Sequence, residues 1–289
     1  MPPKKPKEFD ASKRLEREYA AGVRKITGRV LSTKLPEESL NDWLKRLEAR
    51  SQEKDIQDAS ELLARRLVQW SSVRNARTWR EAAARAQHSR ALYNALEKEM
   101  RGPTGLAVNR IIQQNAKLIS SVAPEAASKL VDEVRKAQQR GARPATIAKM
   151  YRKRFPELTR SRIHLISRTE AQKASAALTQ ARAEELGLQW YEWLTSSDVR
   201  VRDSHKKMND VLVPYNDPPD PEALVGEKST LGHYHAGNCP NCRCGQAPVL
   251  NPDDVTWPRR VYWNGSIHQL TKQKFLALPG NQPQRSRAA

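Results

Sequence analysis

Apolar positions recur at helical spacing through most of the first two thirds of the chain. Leu40, Trp43, Leu44 and Leu47 form one stripe and Ile56, Leu63, Leu67 and Trp70 a second, in a background of Ala, Leu, Glu and Arg that favours helix from residue 35 onward. Arg101-Gly102-Pro103-Thr104-Gly105 stops that run. A third helix carries Leu106, Ile111, Ile112, Leu118 and Ile119, and a fourth begins at Ala123 and closes at Gly141. A short basic helix then ends before Pro156. From Thr159 a further helix runs to Gly187, which fits the left-handed position that closes a helix. Its apolar face holds Ile163, Ile166, Ala174, Ala177 and Ala181, and Glu170 falls on that same face. A carboxylate placed there needs a partner.

Beyond Gly187 the period changes from helical to alternating. Residues 188–196 are aromatic-rich and read as a strand, followed by a turn into a short helix, a second strand and a proline-rich loop. Asn264-Gly265 between apolar runs signals a hairpin. The expected fold is α+β: a mainly helical N-terminal region followed by a small α+β module. The expected divisions are a basic, flexible N-terminus over 1–34, a helical region over 35–158, the module over 159–250, and a basic, partly disordered extension over 251–289.

Charge sharpens this division. The 289 residues carry a formal charge of +19, and the excess is concentrated. Residues 1–34 hold ten Lys and Arg against four acids, residues 135–162 ten against one, and residues 251–289 six against two. The remainder is neutral overall, so these segments read as contacts for a polyanion, with Lys4, Lys5, Arg152, Lys153 and Arg154 as candidate phosphate ligands. Few aromatics interleave with them, which favours sequence-independent backbone contacts over base stacking. No run of about 20 apolar residues is present for a membrane span, and the first ten residues lack the apolar core of a secretory signal, so the chain is expected to start in a cytoplasm.

All three cysteines and two histidines fall within Gly232–Gly245. An odd, clustered count argues against a disulfide framework and for thiols or metal thiolates. Cys239-x-x-Cys242 has zinc-knuckle spacing, and Cys244, with His205 or His235 as a fourth donor, completes a possible tetrahedron. Two other readings stand beside zinc. A redox Cys-Pro-Asn-Cys motif requires a helix opening after a strand, which the surrounding glycines and prolines oppose. Small buried thiols in a tight turn require no reaction at all. Asp198 and His205 likewise admit an acid/base pair with Cys242 or Cys244 as nucleophile, giving a zinc- or thiol-dependent hydrolase. They also admit a structural reading in which Arg200 or Arg202 balances Asp198 or Glu170. The structural account is sufficient and is favoured.

Three short motifs occur in order: Arg168-Thr169-Glu170; Trp193 with Asp198, Arg200, Arg202 and His205; and Asn241-Cys242-Arg243-Cys244. Together they resemble the phage Mu F-like family of minor head, or head morphogenesis, proteins over roughly residues 140–250. The resemblance implies a non-enzymatic virion protein, made in the host cytoplasm and built into the phage head. It implies association with the portal and other head proteins, and contact with double-stranded DNA during assembly, packaging or ejection. That agrees with the charge argument, since a protein sharing a capsid with packed DNA would grip phosphate without reading sequence.

Overall fold

The computed structural model describes residues 11–32, 34–35, 37–85, 103–196 and 199–279. Among the described residues five helices come first: α1 (Lys13–Val30), α2 (Leu40–Gln52), α3 (Lys54–Arg85), α4 (Pro103–Gln139) and α5 (Pro144–Glu185). Strands β1 (Trp190–Leu194), β2 (Val211–Pro214), β3 (Gly245–Pro248), β4 (Arg259–Trp263) and β5 (Ser266–Leu270) follow, with short helices α6 (Asp203–Met208) and α7 (Lys272–Leu276). The expected α+β class is what forms. The chain divides into two compact units, one of residues 12–70 and 108–171, the other of Ala11 with 71–85, 103–107 and 172–279. The composition-based boundaries at 158/159 and 250/251 do not coincide with this division, whose breaks at 70/71, 107/108 and 171/172 fall inside helices, where composition does not shift.

The first unit is helical. Its α1 overturns the expectation of a flexible stretch up to residue 34. Ser12 caps it by accepting from the Leu15 amide at 3.1 Å, and Leu15, Tyr19, Val23, Ile26 and Val30 form a buried stripe. The lysines and arginines that dominate the composition occupy the other faces, where they hide this stripe from a charge count. Trp43 and Leu47 of α2 pack on Ala127, Leu130, Val131 and Val134 of α4, flanked by Tyr151, Phe155 and Leu158 of α5.

Two helices run through prolines expected to end or separate them, Pro124 in α4 and Pro156 in α5. Each proline removes one helical hydrogen bond at about 3 kcal/mol. Buried apolar side chains on both sides outweigh this at about 1.5–3 kcal/mol each. Val122, Ala126, Ala127 and Leu130 flank Pro124, and Tyr151, Phe155 and Leu158 flank Pro156 against Trp43. Hence the third and fourth expected helices are one, as are the fifth and sixth.

The second unit is built on a five-stranded sheet in the order β3-β1-β2-β4-β5, antiparallel except for the β2–β4 pair. Gly187, at φ 68°, ends α5 with the Leu188 amide on Ala183 O at 2.8 Å and its own amide on Glu184 O at 3.0 Å, a Schellman closure that sends the chain into β1. Alternation along β1 then splits two cores. Tyr191 and Trp193 join Val211, Val213, Trp79, Ala183 and all three cysteines on one face. Trp190 joins Leu212, Val261 and Phe275 on the other. The expected hairpin forms, with Trp263 opposite Ser266 and Asn264 and Gly265 at φ 48° and 77° in the turn. Residues 259–276 are therefore part of the module, not an extension, because β4 pairs with β2 and Phe275 fills the second core.

Candidate metal centre

The site is assembled by a helix and a loop that β1 and β2 bring together. His205 sits on α6 between those strands and is 3% exposed. The cysteines lie on the loop entering β3; Cys239, Cys242 and Cys244 are 2%, 4% and 2% exposed and form no disulfide. The Cys242 amide closes the turn on Cys239 O at 3.1 Å, Asn241 takes a left-handed φ of 60°, and the Cys244 amide donates to Cys242 Sγ at 3.3 Å. The redox reading needed a helix opening at Cys239; a turn leading to a strand occupies that place instead.

Gln172 on α5 holds the loop from below, donating through Nε2 to Cys244 O at 2.8 Å. Gly237 permits this approach: at φ 87° a Cβ there would stand 2.9 Å from Ala176 Cβ and 3.1 Å from Cys244 O.

One donor atom each from His205, Cys239 and Cys242 lies within 4.8 Å of the other two. His205 Nδ1 is 3.7 Å from Cys242 Sγ and 3.3 Å from Cys244 Sγ, and its Nε2 is 3.7 Å from Cys239 Sγ. Ligands of a tetrahedral zinc bound at the usual lengths stand ~3.5–3.8 Å apart; the Nδ1–Cys242 spacing falls in that range, the Nδ1–Cys244 spacing is shorter, and Cys239 approaches the other ring nitrogen, while the donor chemistry suits that metal. Cys244 Sγ approaches Nδ1 but is not among the three donors that all lie within 4.8 Å of one another. The Cys242 contact and burial push the Cys239 thiol well above its ordinary value, so a cation must displace that proton to bind.

His235, the alternative fourth donor, faces elsewhere. Its Nδ1 is 3.2 Å from Tyr191 Oη, its ring packs on Tyr191 and Tyr215, and burial lowers its pKa to about 4. It is a neutral core histidine.

The other motif residues divide between the units. Trp193 lies edge-on to His205 at 5.5 Å between ring centres and fixes the imidazole plane from the sheet side. Arg202 caps the cysteine turn, donating from Nη1 to Cys239 Sγ at 2.8 Å and from Nη2 to Pro240 O at 3.0 Å. Arg200 is exposed, Arg243 is half-buried, and Asp198 lies outside the described residues.

Arg168, Thr169 and Glu170 belong to the helical unit. Arg168 reaches Glu16 of α1 at 3.4 Å, and Thr169 is buried. Asn115 on α4 donates to Glu170 Oε2 at 3.3 Å and accepts from Tyr19 Oη at 2.8 Å, which gives Glu170 a partner that the sequence reading had sought among arginines. Sequence reasoning also missed Gln172, Tyr234 and Glu222. Tyr234 Oη lies 2.9 Å from His205 Nε2 and donates to Glu222 at 2.7 Å. Tyr234 sits beside His233 and His235, so the aromatic within that run was the available signal.

Of the five candidate phosphate ligands, Lys4 and Lys5 lie outside the described residues. Arg154 is clamped on Glu133 at 2.9 Å, with Glu157 at 3.4 Å. Arg152 and Lys153 are exposed. Arg140, Arg143, Lys149 and Arg160 join them as exposed cations with no ion pair among the described residues. In the C-terminal basic segment Arg259 pairs with Glu192 and Arg260 donates to Lys207 O at 3.0 Å, so these two charges serve the fold.

Fold and site define an α+β module closed around a buried Cys/His turn. Residues 128–247, which contain all three motifs, match the family described as Phage Mu protein F like protein. A Haemophilus influenzae (strain ATCC 51907 / DSM 11121 / KW20 / Rd) relative named "Uncharacterized protein" is 34% identical over 147 residues, 51% of this chain and 30% of its own length. The chain thus spans less than a third of that relative. No solved structure matches the chain. Among the described residues, no helix is long and apolar enough to cross a membrane.

Proposed function

We propose that the protein is a minor head component of a tailed phage that acts in head morphogenesis, present in the virion and made in the host cytoplasm. The family match over residues 128–247 carries this reading. Within it, the Cys/His centre holds zinc as a closed structural site, with Cys239, Cys242, Cys244 and His205 as ligands. Near-complete burial of all four side chains supports a structural role over the hydrolase alternative, because a nucleophile and base need substrate access.

Nonspecific contact with double-stranded DNA is supported by the charge left free on α5. Lys149, Lys153 and Arg160 fall within one helical face over about three turns, at the positions i, i+4 and i+11. Arg140 and Arg143 extend the cationic surface at the corner before α5. Association with the portal or another head protein is supported by a cleft of about 1010 Å³ in the helical unit. It is lined by Leu40, Trp43, Ile147, Tyr151 and Phe155 together with the basic Lys34 and Arg152. A lining that combines apolar and basic side chains suits an acidic amphipathic helix.

The test is to purify particles made with and without the intact gene. Mass spectrometry should detect the chain in the head at low copy, and its loss should reduce filled heads. Heads that lack the chain and fill normally would overturn the proposal.

A further inference from the structure

Hydrogen-bond polarity around Tyr234 assigns the tautomer of His205, and through it the atom that meets the metal. Tyr234 Oη lies 2.7 and 2.9 Å from the two oxygens of Glu222, with Ser204 Oγ 3.4 Å from one of them. An ionised carboxylate only accepts, so the one phenolic hydrogen goes to Glu222. The Tyr234 oxygen is then left to accept, and its remaining neighbour is His205 Nε2 at 2.9 Å. That places the imidazole hydrogen on Nε2. The lone pair falls on Nδ1, the nitrogen that faces Cys242 and Cys244, whereas Cys239 Sγ lies 3.7 Å from Nε2.

We infer that His205 ligates the metal through Nδ1, and that Tyr234 and Glu222 are positioning residues which hold it in that tautomer as a phenol-to-carboxylate relay. The inference rests on the zinc reading above. Metal-bound histidines characteristically donate their other ring hydrogen to a carboxylate, carbonyl or water, and this fixes the ring and raises its basicity. Here a tyrosine is interposed. Glu222 opens the short helical turn Ala223–Val225, which packs on α6, so the relay ties the proline-rich loop to the helix that carries His205. This gives that loop a role the sequence did not indicate.

Two measurements on the full-length protein test the inference. In the zinc-loaded wild type, long-range 15N–1H NMR should show His205 with a metal-bound Nδ1 and a protonated Nε2. The opposite assignment overturns the inference, whatever the variants do. In cobalt(II) titrations the wild type should give tetrahedral d–d bands and thiolate charge-transfer absorption. Tyr234→Phe and Glu222→Gln should each keep the band shape while weakening affinity about 10–100-fold. Because the two residues act in series, the double variant should be no weaker than Tyr234→Phe alone. Variants that bind cobalt as the wild type does would overturn the relay and leave the zinc reading standing. A wild type that gives no tetrahedral cobalt spectrum would overturn the zinc reading itself.

Discussion

The Arg202 guanidinium stands 2.8 Å from Cys239 Sγ and reaches past it to Pro240 O at 3.0 Å, so one side chain grips both a sulfur and the backbone of the cysteine turn. Three thiolates around a divalent cation leave a net negative centre, and a cation bonded to one sulfur offsets it. Arg202→Met should weaken cobalt or zinc affinity about tenfold, measured by competition with a chromophoric chelator. Arg202→Lys should recover only part of this, because an ammonium is a point charge without a planar fork. Affinity unchanged in both would reduce the contact to a surface feature.

The helical unit holds a second polar chain, from Tyr19 to Asn115 to Glu170. Burial and the Glu170 charge raise the Tyr19 pKa well above its ordinary value, so its phenol stays a donor throughout the physiological range. Asn115→Leu keeps the volume and leaves Tyr19 Oη and Glu170 short of a partner. The expected cost is about 1–3 kcal/mol in urea unfolding at pH 7. A loss below about 0.5 kcal/mol would show that neighbouring groups satisfy the carboxylate without Asn115.

These chains explain which parts of the protein the sequence exposes. Gly187, Asn264-Gly265 and the Cys239–Cys244 turn were legible because a few adjacent residues encode each through a positive φ or a metal-ligand spacing. Glu170 was recognisable as a buried acid needing a partner, yet Asn115 lies 55 residues away and Tyr19 a further 96, and no local rule connects them. Pro124 and Pro156 misled for the same reason: their local penalty is visible in the sequence, and the packing that outweighs it is not. The buried stripe of α1 was obscured by the Lys and Arg sharing its helix. His235 was an equal candidate with His205 until the sheet turned it toward Tyr191 and Tyr215.

That placement of His235 gives stability a pH dependence. Burial lowers its folded-state pKa to about 4, against 6.5 when unfolded. Between these values the unfolded chain takes up a proton that the folded protein refuses, so stability is complete above pH 6.5 and falls as the pH is lowered toward 4. The full effect is about 3 kcal/mol. His235→Gln keeps an acceptor for Tyr191 and does not titrate, so its urea midpoint should fall less steeply between pH 6.5 and 4.5. Acid also protonates the cysteine–histidine centre, but it does so in both proteins and cancels in the comparison. Parallel curves would show that His235 is protonated in the folded state.

The proposed contact of the α5 stripe with DNA makes a quantitative prediction, because each phosphate neutralised releases counterions. The slope of log K against log salt is about −0.9 per phosphate contacted on double-stranded DNA. Replacing Lys149, Lys153 and Arg160 with alanine should therefore weaken binding to any duplex equally and reduce the slope by about 2–3, read by fluorescence anisotropy across a salt series. Arg154→Ala is the informative control. Its guanidinium is already held by Glu133 and Glu157, so its loss should change the slope by much less than one contact despite its place in the same basic run. A triple variant with an unchanged slope would move the DNA surface off α5, and an Arg154→Ala effect equal to that of its neighbours would show that the Glu133 clamp opens to release the arginine to phosphate.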